Sequence, residues 1–169
     1  CATVGEAEVL VDGGIDDVLI TNRVVSKDKI ERAVFLTTKA DVKIAADSKR
    51  NLTDISKCAC FHGLEVGIVI EVDIGHGRAG VRDVKSAIDL AKLASDLPGL
   101  KYEGIMGYEG HCVFIESLAE RKEASAEAYK RLFSYKEALT AAGFEPRIVS
   151  SAGTGTYLLA GTQEGITDI

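Results

Sequence analysis

The sequence predicts an α/β fold, a (β/α)8 barrel of the TIM type present as an incomplete segment. Segments of strand character alternate with segments of helical character along all 169 residues, which implies parallel strands joined by right-handed crossovers. Over residues 66–74, Ile68, Ile70, Val72 and Ile74 share one face while Val69, Glu71 and Asp73 share the other. A doubly wound open sheet, covered by helices on both sides, prefers strands that are apolar all round, so carboxylates on one strand face favour the barrel. A whole barrel takes about 250 residues. The chain is shorter, opens at Cys1 near the end of a strand and closes at Ile169 inside another, so it is expected to be part of a larger barrel.

Each element has a local cause. Thr3 and Glu6 have the spacing of a capping box, with Ala7, Leu10 and Val11 on one helical face and Gly13-Gly14 at the end. Residues 17–21 read as a short strand, Ser26 as the cap of a helix with Ile30, Ala33, Val34 and Thr37 inward, and 42–46 as the next strand. Ser48 opens a helix burying Leu52, Ile55 and Ala59, ahead of the strand over 66–74. Asp83 caps a helix through Leu97 with Val84, Ala87, Ile88, Ala91 and Ala94 on its predicted buried stripe, and Pro98-Gly99 stops it. A strand over 102–109 follows, then a long helix over 117–142 with Ala128, Leu132, Tyr135, Leu139 and Ala142 inward, ended by Gly143. Strands over 147–151 and 166–169 complete the pattern, and with no proline- or serine-rich linker residues 1–169 are expected to form one domain.

A composition of 46% hydrophobic and 27% charged residues is ordinary for a globular domain. The net charge of -6, without a cluster of lysine and arginine, argues against nucleic acid or an anionic membrane as partner. No apolar run approaches the roughly 20 residues that span a bilayer, and nothing resembles a signal peptide, so a cytoplasmic location is expected. Cys1, Cys58, Cys60 and Cys112 form no CxxC pair, and reduced thiols are expected. Cys58 and Cys60, two apart on a predicted helix, point in different directions, so no metal site is assigned within the chain.

Three stretches at strand ends carry residues suited to chemistry. After the strand over 66–74, Gly75, Gly77 and Gly80 let the backbone turn tightly while displaying His76 and Arg78; a plain turn carrying a surface arginine would look the same. Ser150-Ser151-Ala152-Gly153-Thr154-Gly155-Thr156 follows a strand and precedes a short helical turn, so its amides and hydroxyls can converge on an anion. Barrels often hold phosphate after the seventh or eighth strand. The stretch is no Walker motif, lacking Lys-Ser or Lys-Thr after the glycines, and a flexible polar loop is the alternative. In Gly107-Tyr108-Glu109-Gly110-His111, Tyr108 could stack on a flat ring and His111 could move protons, or both could be structural. His62 is expected to face the terminal carbonyls of its helix, and Tyr129, Phe133 and Tyr135 to pack.

Together these motifs resemble the barrel domain of the pyridoxal-phosphate enzymes of the alanine racemase fold, and within them the D-threonine aldolase and D-serine dehydratase group. CATVGEAEVL, DDVLITNRVV, EVDIGHGRAGV, GIMGYEGH and SSAGTGTY stand in the family's order and span nearly the whole chain. The resemblance implies that Cys1 ends the second barrel strand, that the chain holds about strands three to eight, and that the Gly-Thr-Gly loop follows strand seven. It implies that Arg78 bonds the phenolic oxygen of pyridoxal 5'-phosphate, that Tyr108 contacts its ring, and that Ser151, Gly153, Thr154 and Gly155 hold its phosphate; Ser150 and Thr156, from the same loop, and His111 as proton carrier are candidates on the reading of the residues themselves. The Schiff-base lysine is expected on the first strand, upstream of Cys1; neither Lys43 nor Lys101 matches it. The ligands of a divalent metal, manganese or zinc, are expected in a β-domain downstream of Ile169.

The activity so implied is retro-aldol cleavage of a β-hydroxy-D-amino acid such as D-threonine, with a small-molecule substrate, a homodimer as the candidate assembly, and little or no activity in this segment alone. D-serine dehydration and amino acid racemisation are the alternatives. From other classes come a non-catalytic pyridoxal-phosphate-binding protein on the same barrel and a structural fragment without a ligand.

Overall fold

Helix starts are decided by single side chains. In α1 (Val4–Asp12) the Thr3 hydroxyl accepts from the Glu6 amide at 3.2 Å and the Glu6 carboxylate accepts from the Thr3 amide at 3.0 Å, the predicted capping box, worth about 1 kcal/mol. Ser48 caps α3 (Lys49–His62), Asp83 precedes α4 (Val84–Asp96) with its carboxylate on the Ser86 amide at 2.8 Å, and Ser117 caps α5 (Leu118–Ala141). Ser26, expected to cap α2 (Lys27–Leu36), makes no side-chain cap bond. A short α6 (Tyr157–Ala160) completes the helices in this computed structural model, which describes residues 1–169.

The strands are β1 (Asp17–Ile20), β2 (Asp41–Ala46), β3 (Val66–Glu71), β4 (Leu100–Met106) and β5 (Ile148–Ser150), arranged in one sheet in the order β1-β2-β3-β4-β5. β1 pairs parallel with β2 from Asp17 opposite Asp41 to Ile20 opposite Ile44, and β4 pairs parallel with β5 from Gly104 opposite Ile148 to Met106 opposite Ser150. Chain order and spatial order agree throughout. A doubly wound sheet reverses its order at a switch point, and this sheet does not.

Two compact units make up the chain, Cys1–Val69 with Asp89–Glu103, and Ile70–Ile88 with Gly104–Ile169. In the first, Ala7, Ile20, Ala33, Val34, Ile44, Leu52, Ile55 and Ala59 are wholly or almost wholly buried. Charge is buried there too: Lys43, 1% exposed, extends its ammonium to Asp17 at 2.6 Å and Asp41 at 2.8 Å. Burial by itself would lower the Lys43 pKa, but the two aspartates outweigh it and hold it above the usual lysine value. A side chain at Gly67 would start 2.7 Å from Lys43 Cγ and 3.3 Å from Glu103 Cγ, so the lysine and the glutamate pack on one face of the strands. Of the polar face expected over residues 66–74, Glu71 lies on β3 and Asp73 beyond its end. In the second unit Ile70, Val72, Ile74, Ile105, Leu132, Leu139 and Val149 form the core.

Several expectations are corrected. The strand over 66–74 ends at Glu71: Val72 still donates to the Met106 carbonyl at 2.8 Å but forms only an isolated bridge, to Val81, and the loop follows. β4 runs from Leu100 to Met106, three residues short of Glu109, β1 stops at Ile20, and the strand over 147–151 keeps only its central three residues. Residues 166–169 make one parallel bridge, Ser150 to Asp168, instead of a strand. On α4, Val84 is 36% exposed and Leu90 is buried in its place, while Ile88 is half-buried, since the first residue of a helix has no preceding turn to pack with. Leu10 and Ala142 are exposed and Thr37 caps α2 from outside. His62 turns to Glu31, 3.2 Å away, and to the rings of Phe35 and Phe61 instead of the helix-end carbonyls.

The β4 and β5 backbones approach so closely that a Cβ at Gly104 would sit 2.0 Å from the Ile148 carbonyl oxygen. Gly104→Ala is expected to cost at least about 1–3 kcal/mol, read as a lower urea midpoint. A midpoint equal to the parent's would show that this ladder does not depend on the glycine.

Candidate functional site

The loop after β3 is organised by Asp73. One carboxylate oxygen accepts from the amides of Gly75 and Gly77, both at 3.0 Å, and the Asp73 amide donates to the Val81 carbonyl at 2.9 Å. Gly80, with φ 91, closes the neck of the loop at a point where a Cβ would lie 2.6 Å from the Val72 carbonyl carbon, so only glycine fits. Burial pushes the Asp73 carboxyl up, but the Gly77 and Gly75 amides, helped by Arg82 and His76, outweigh it and hold it below the usual aspartate value. The pinched loop carries His76 and Arg78 outward as a unit.

Arg78 lies with its guanidinium carbon 5.0 Å from the centre of the Tyr108 ring and one nitrogen 3.6 Å from the buried carboxylate of Glu71. With 44% of the arginine side chain exposed, the ion pair is worth below about 1 kcal/mol and the ring contact a similar amount. These contacts orient the guanidinium and leave donors open for a ligand.

Tyr108 is wedged in place. A Cβ at Gly110 would lie 2.5 Å from one ring edge and a Cβ at Gly153 would lie 2.8 Å from the other, while His76 meets the ring edge-on at 5.4 Å. The His76 and His111 rings lie nearly parallel with centres 6.3 Å apart. Partial burial, His76 and Arg131 all lower the His111 pKa below the usual histidine value. All of these residues belong to the second unit.

The loop after β5 stands partly apart from its expected form. Its left-handed residue is Ala152, φ 89, and no glycine of the loop has a positive φ. Gly153 is needed because the Tyr108 ring fills the space a side chain would take, and Gly155 because Val113 does, 2.9 Å from its Cβ position. Thr156 is buried and serves the loop itself: its hydroxyl accepts from the Gly153 amide at 3.2 Å, and its amide donates to the Gly153 carbonyl at 3.0 Å. Ser150 is a ladder residue whose carbonyl accepts from the Gly107 amide at 3.0 Å. The amides of Thr154 and Gly155 take part in no hydrogen bond, and Arg121 braces the Gly155 carbonyl at 3.3 Å. Of the amides in the expected phosphate cradle, these two are free to take an anion.

Sequence reasoning missed Glu109 and Tyr129. Glu109 is 0% exposed, and Tyr129, expected only to pack, is buried with its hydroxyl donating to Glu109 at 2.7 Å. Burial first, and then Glu109, push the Tyr129 phenol well above the usual tyrosine pKa. The available signal was a glutamate inside an otherwise apolar and glycine-rich strand end. A groove of about 670 Å³ in the first unit, lined by Ile30, Cys58, Phe61 and His62 among others, holds none of these motifs.

A histidine whose pKa lies below its ordinary value is neutral at pH 7, and the stability it contributes is present above pH 6.5 and lost as the pH falls through the folded value. The proton resonance of the His111 ring is expected to titrate with a midpoint below 6.5, moving upward in Arg131→Met. A midpoint at or above the ordinary value would refute the placement of Arg131 and His76 beside it.

Comparison with known proteins shows the family and the fold. The model of the alanine racemase N-terminal domain matches residues 1–168. A 3-hydroxy-D-aspartate aldolase of Paracoccus denitrificans is 39% identical over 158 residues, covering 93% of this chain and 41% of that protein. The crystal structure of D-threonine aldolase from Filomicrobium marinum superimposes with a TM-score of 0.95 at 32% identity, over 99% of this chain and 46% of that one. Alanine racemase of Clostridium difficile 630 shares the fold, with a TM-score of 0.76 at 16% identity over 95% of this chain and 39% of that one. The chain therefore spans about two fifths of the length of the curated relatives it first matches, and its α/β architecture is that of an incomplete TIM-type barrel. It belongs to the alanine racemase N-terminal domain family.

Proposed function

We propose that this chain forms the cofactor side of a pyridoxal-phosphate-dependent lyase that cleaves β-hydroxy-D-amino acids by a retro-aldol reaction. The observation that carries the reading is the convergence of Arg78, Tyr108 and the unengaged amides of Thr154 and Gly155 around the ends of β3, β4 and β5. The names of the relatives, aldolases of 3-hydroxy-D-aspartate and D-threonine, support it.

The residues present fit the cofactor. The two amides would donate to the oxygens of a phosphate dianion, with Ser151 and Gly153 shaping the loop behind them. Arg78 would direct its open donors at the phenolic oxygen, where a charge-assisted, forked hydrogen bond holds the ionised form and lysine could not. Tyr108, locked between Gly110 and Gly153, would bound the ring. His111, neutral at pH 7 and exposed, can accept a proton from a substrate hydroxyl at the loop edge. Pyridoxal phosphate, when bound, supplies the electron sink that makes bonds to the substrate α-carbon labile.

No group of three or more His, Cys, Asp and Glu side chains here comes together to hold a metal ion. The manganese or zinc in this proposal is therefore assigned to residues outside the chain, as is the lysine, because Lys43 is committed to Asp17 and Asp41 and Lys101 to Glu103. No helix is long and apolar enough to cross a membrane. A cytoplasmic setting and a homodimer complete the proposal, together with a barrel segment continued by a first strand upstream and a β-domain downstream.

The test incubates the intact protein with pyridoxal phosphate and manganese, and separately with D-threonine, 3-hydroxy-D-aspartate and D-serine. Glycine released from either hydroxy acid is the expected result. Pyruvate and ammonia from D-serine, with no glycine from the others, would overturn the aldolase reading in favour of dehydration. Arg78→Lys is expected to lower the rate at least about tenfold, roughly 1.4 kcal/mol of barrier, and a rate within about threefold of the parent would remove Arg78 from its role.

A further inference from the structure

Glu109 is fully buried in the run that follows β4, directly after Tyr108, and forms no ion pair. A buried carboxylate is costly unless hydrogen bonds replace its water. Here they come from separate parts of the second unit. Tyr129 on α5 donates to one oxygen at 2.7 Å, and the Ser151 hydroxyl and Ala152 amide reach the other at 2.9 and 3.2 Å. The Ser151 hydroxyl also lies 2.8 Å from the Gly107 carbonyl; with one proton it donates to either acceptor in turn, and both belong to the same strand end.

Ala152 is the sole residue other than glycine with a positive φ, a conformation that persists in a non-glycine residue only where the surroundings hold it. The Glu109 carboxylate on its amide is that hold. Immediately beyond the kink the chain places Gly153 against Tyr108 and leaves the amides of Thr154 and Gly155 unengaged. An apolar residue at position 109 would pack at lower cost but could not fix the direction in which the loop leaves β5.

We propose that Glu109, braced by Tyr129, is the positioning residue of the anion loop: through Ser151 and Ala152 it presents the Thr154 and Gly155 amides to a phosphate monoester. This rests on the reading of that loop as the phosphate site. Glu109 touches neither the ligand nor the reacting atoms, so it acts on the phosphate group's share of the affinity and not on contacts to the ring.

The experiment compares the affinity of the intact protein for pyridoxal 5'-phosphate, pyridoxal and inorganic phosphate by equilibrium dialysis, alongside a urea midpoint. In the parent, the phosphate ester should bind better than pyridoxal. Glu109→Ala should lose about tenfold or more of its affinity for the ester and for inorganic phosphate, with pyridoxal binding unchanged; Glu109→Gln, which keeps an acceptor for the Ala152 amide, should recover part of the loss. Where Glu109→Ala does not fold, Tyr129→Phe carries the test, since it deletes one donor and keeps the ring; its preference for the ester should fall about threefold or more. An undiminished preference in these variants, or an equal loss for ester and pyridoxal, overturns the positioning role while the phosphate loop stands. A parent that binds ester and pyridoxal alike removes the loop reading and this inference together.

Discussion

Parallel pairing puts the carboxyl ends of neighbouring strands at the same edge of a sheet, and the meeting of the candidate site residues follows from that. The loop after β3 carries His76 and Arg78, the run after β4 carries Tyr108 to His111, and the loop after β5 carries Ser151 to Thr156. Residues separated by tens of positions become neighbours because β4 and β5 lie in register and the Val72 amide bonds the Met106 carbonyl at 2.8 Å. A change that lets β5 slip by one residue would exchange its two faces and turn Ser151 away from Gly107 and Glu109.

Buried charge in the two units is handled in different ways. Lys43 is neutralised by two aspartates that are themselves largely exposed, so water shares the cost and the arrangement tolerates burial of the ammonium. Glu109 has no cation and relies on hydroxyl and amide donors. Such donors are directional, so the second arrangement specifies geometry more tightly than the first. The difference matches their settings, one under the strands of the first unit and the other beside the Thr154 and Gly155 amides.

The glycines of the site have separate reasons. Gly80 answers a backbone requirement, a positive φ at the neck of a loop. Gly110 and Gly153 answer a packing requirement: they make the slot in which the Tyr108 ring is held. That slot leaves Tyr108 little freedom, and a ring so held can define the wall of a ligand site without the entropy of ordering it on binding.

The amino-acid sequence by itself determined the elements and their order, since capping at Thr3, Ser48, Asp83 and Ser117 and the periodicity of Leu52, Ile55, Ala59, Leu132, Tyr135 and Leu139 are local properties of neighbouring residues. It also marked the stretches around Arg78, Tyr108 and Gly153, because glycines beside polar residues at strand ends are visible without a structure. Strand ends were less legible: Val72 to Ile74 keeps the alternation of a strand, yet the bridge from Val72 to Val81 takes it into a loop, and residues 166–169 lack the hydrogen-bonded run a strand requires. Only the tertiary structure decided that Glu109 and Tyr129 are partners, that the left-handed residue is Ala152 and not a glycine, and that Thr154 and Gly155 alone among the loop amides are unengaged. Those facts depend on atoms from β4, α5 and the β5 loop meeting within hydrogen-bond distance, and no spacing along one segment encodes which donors another segment has already taken.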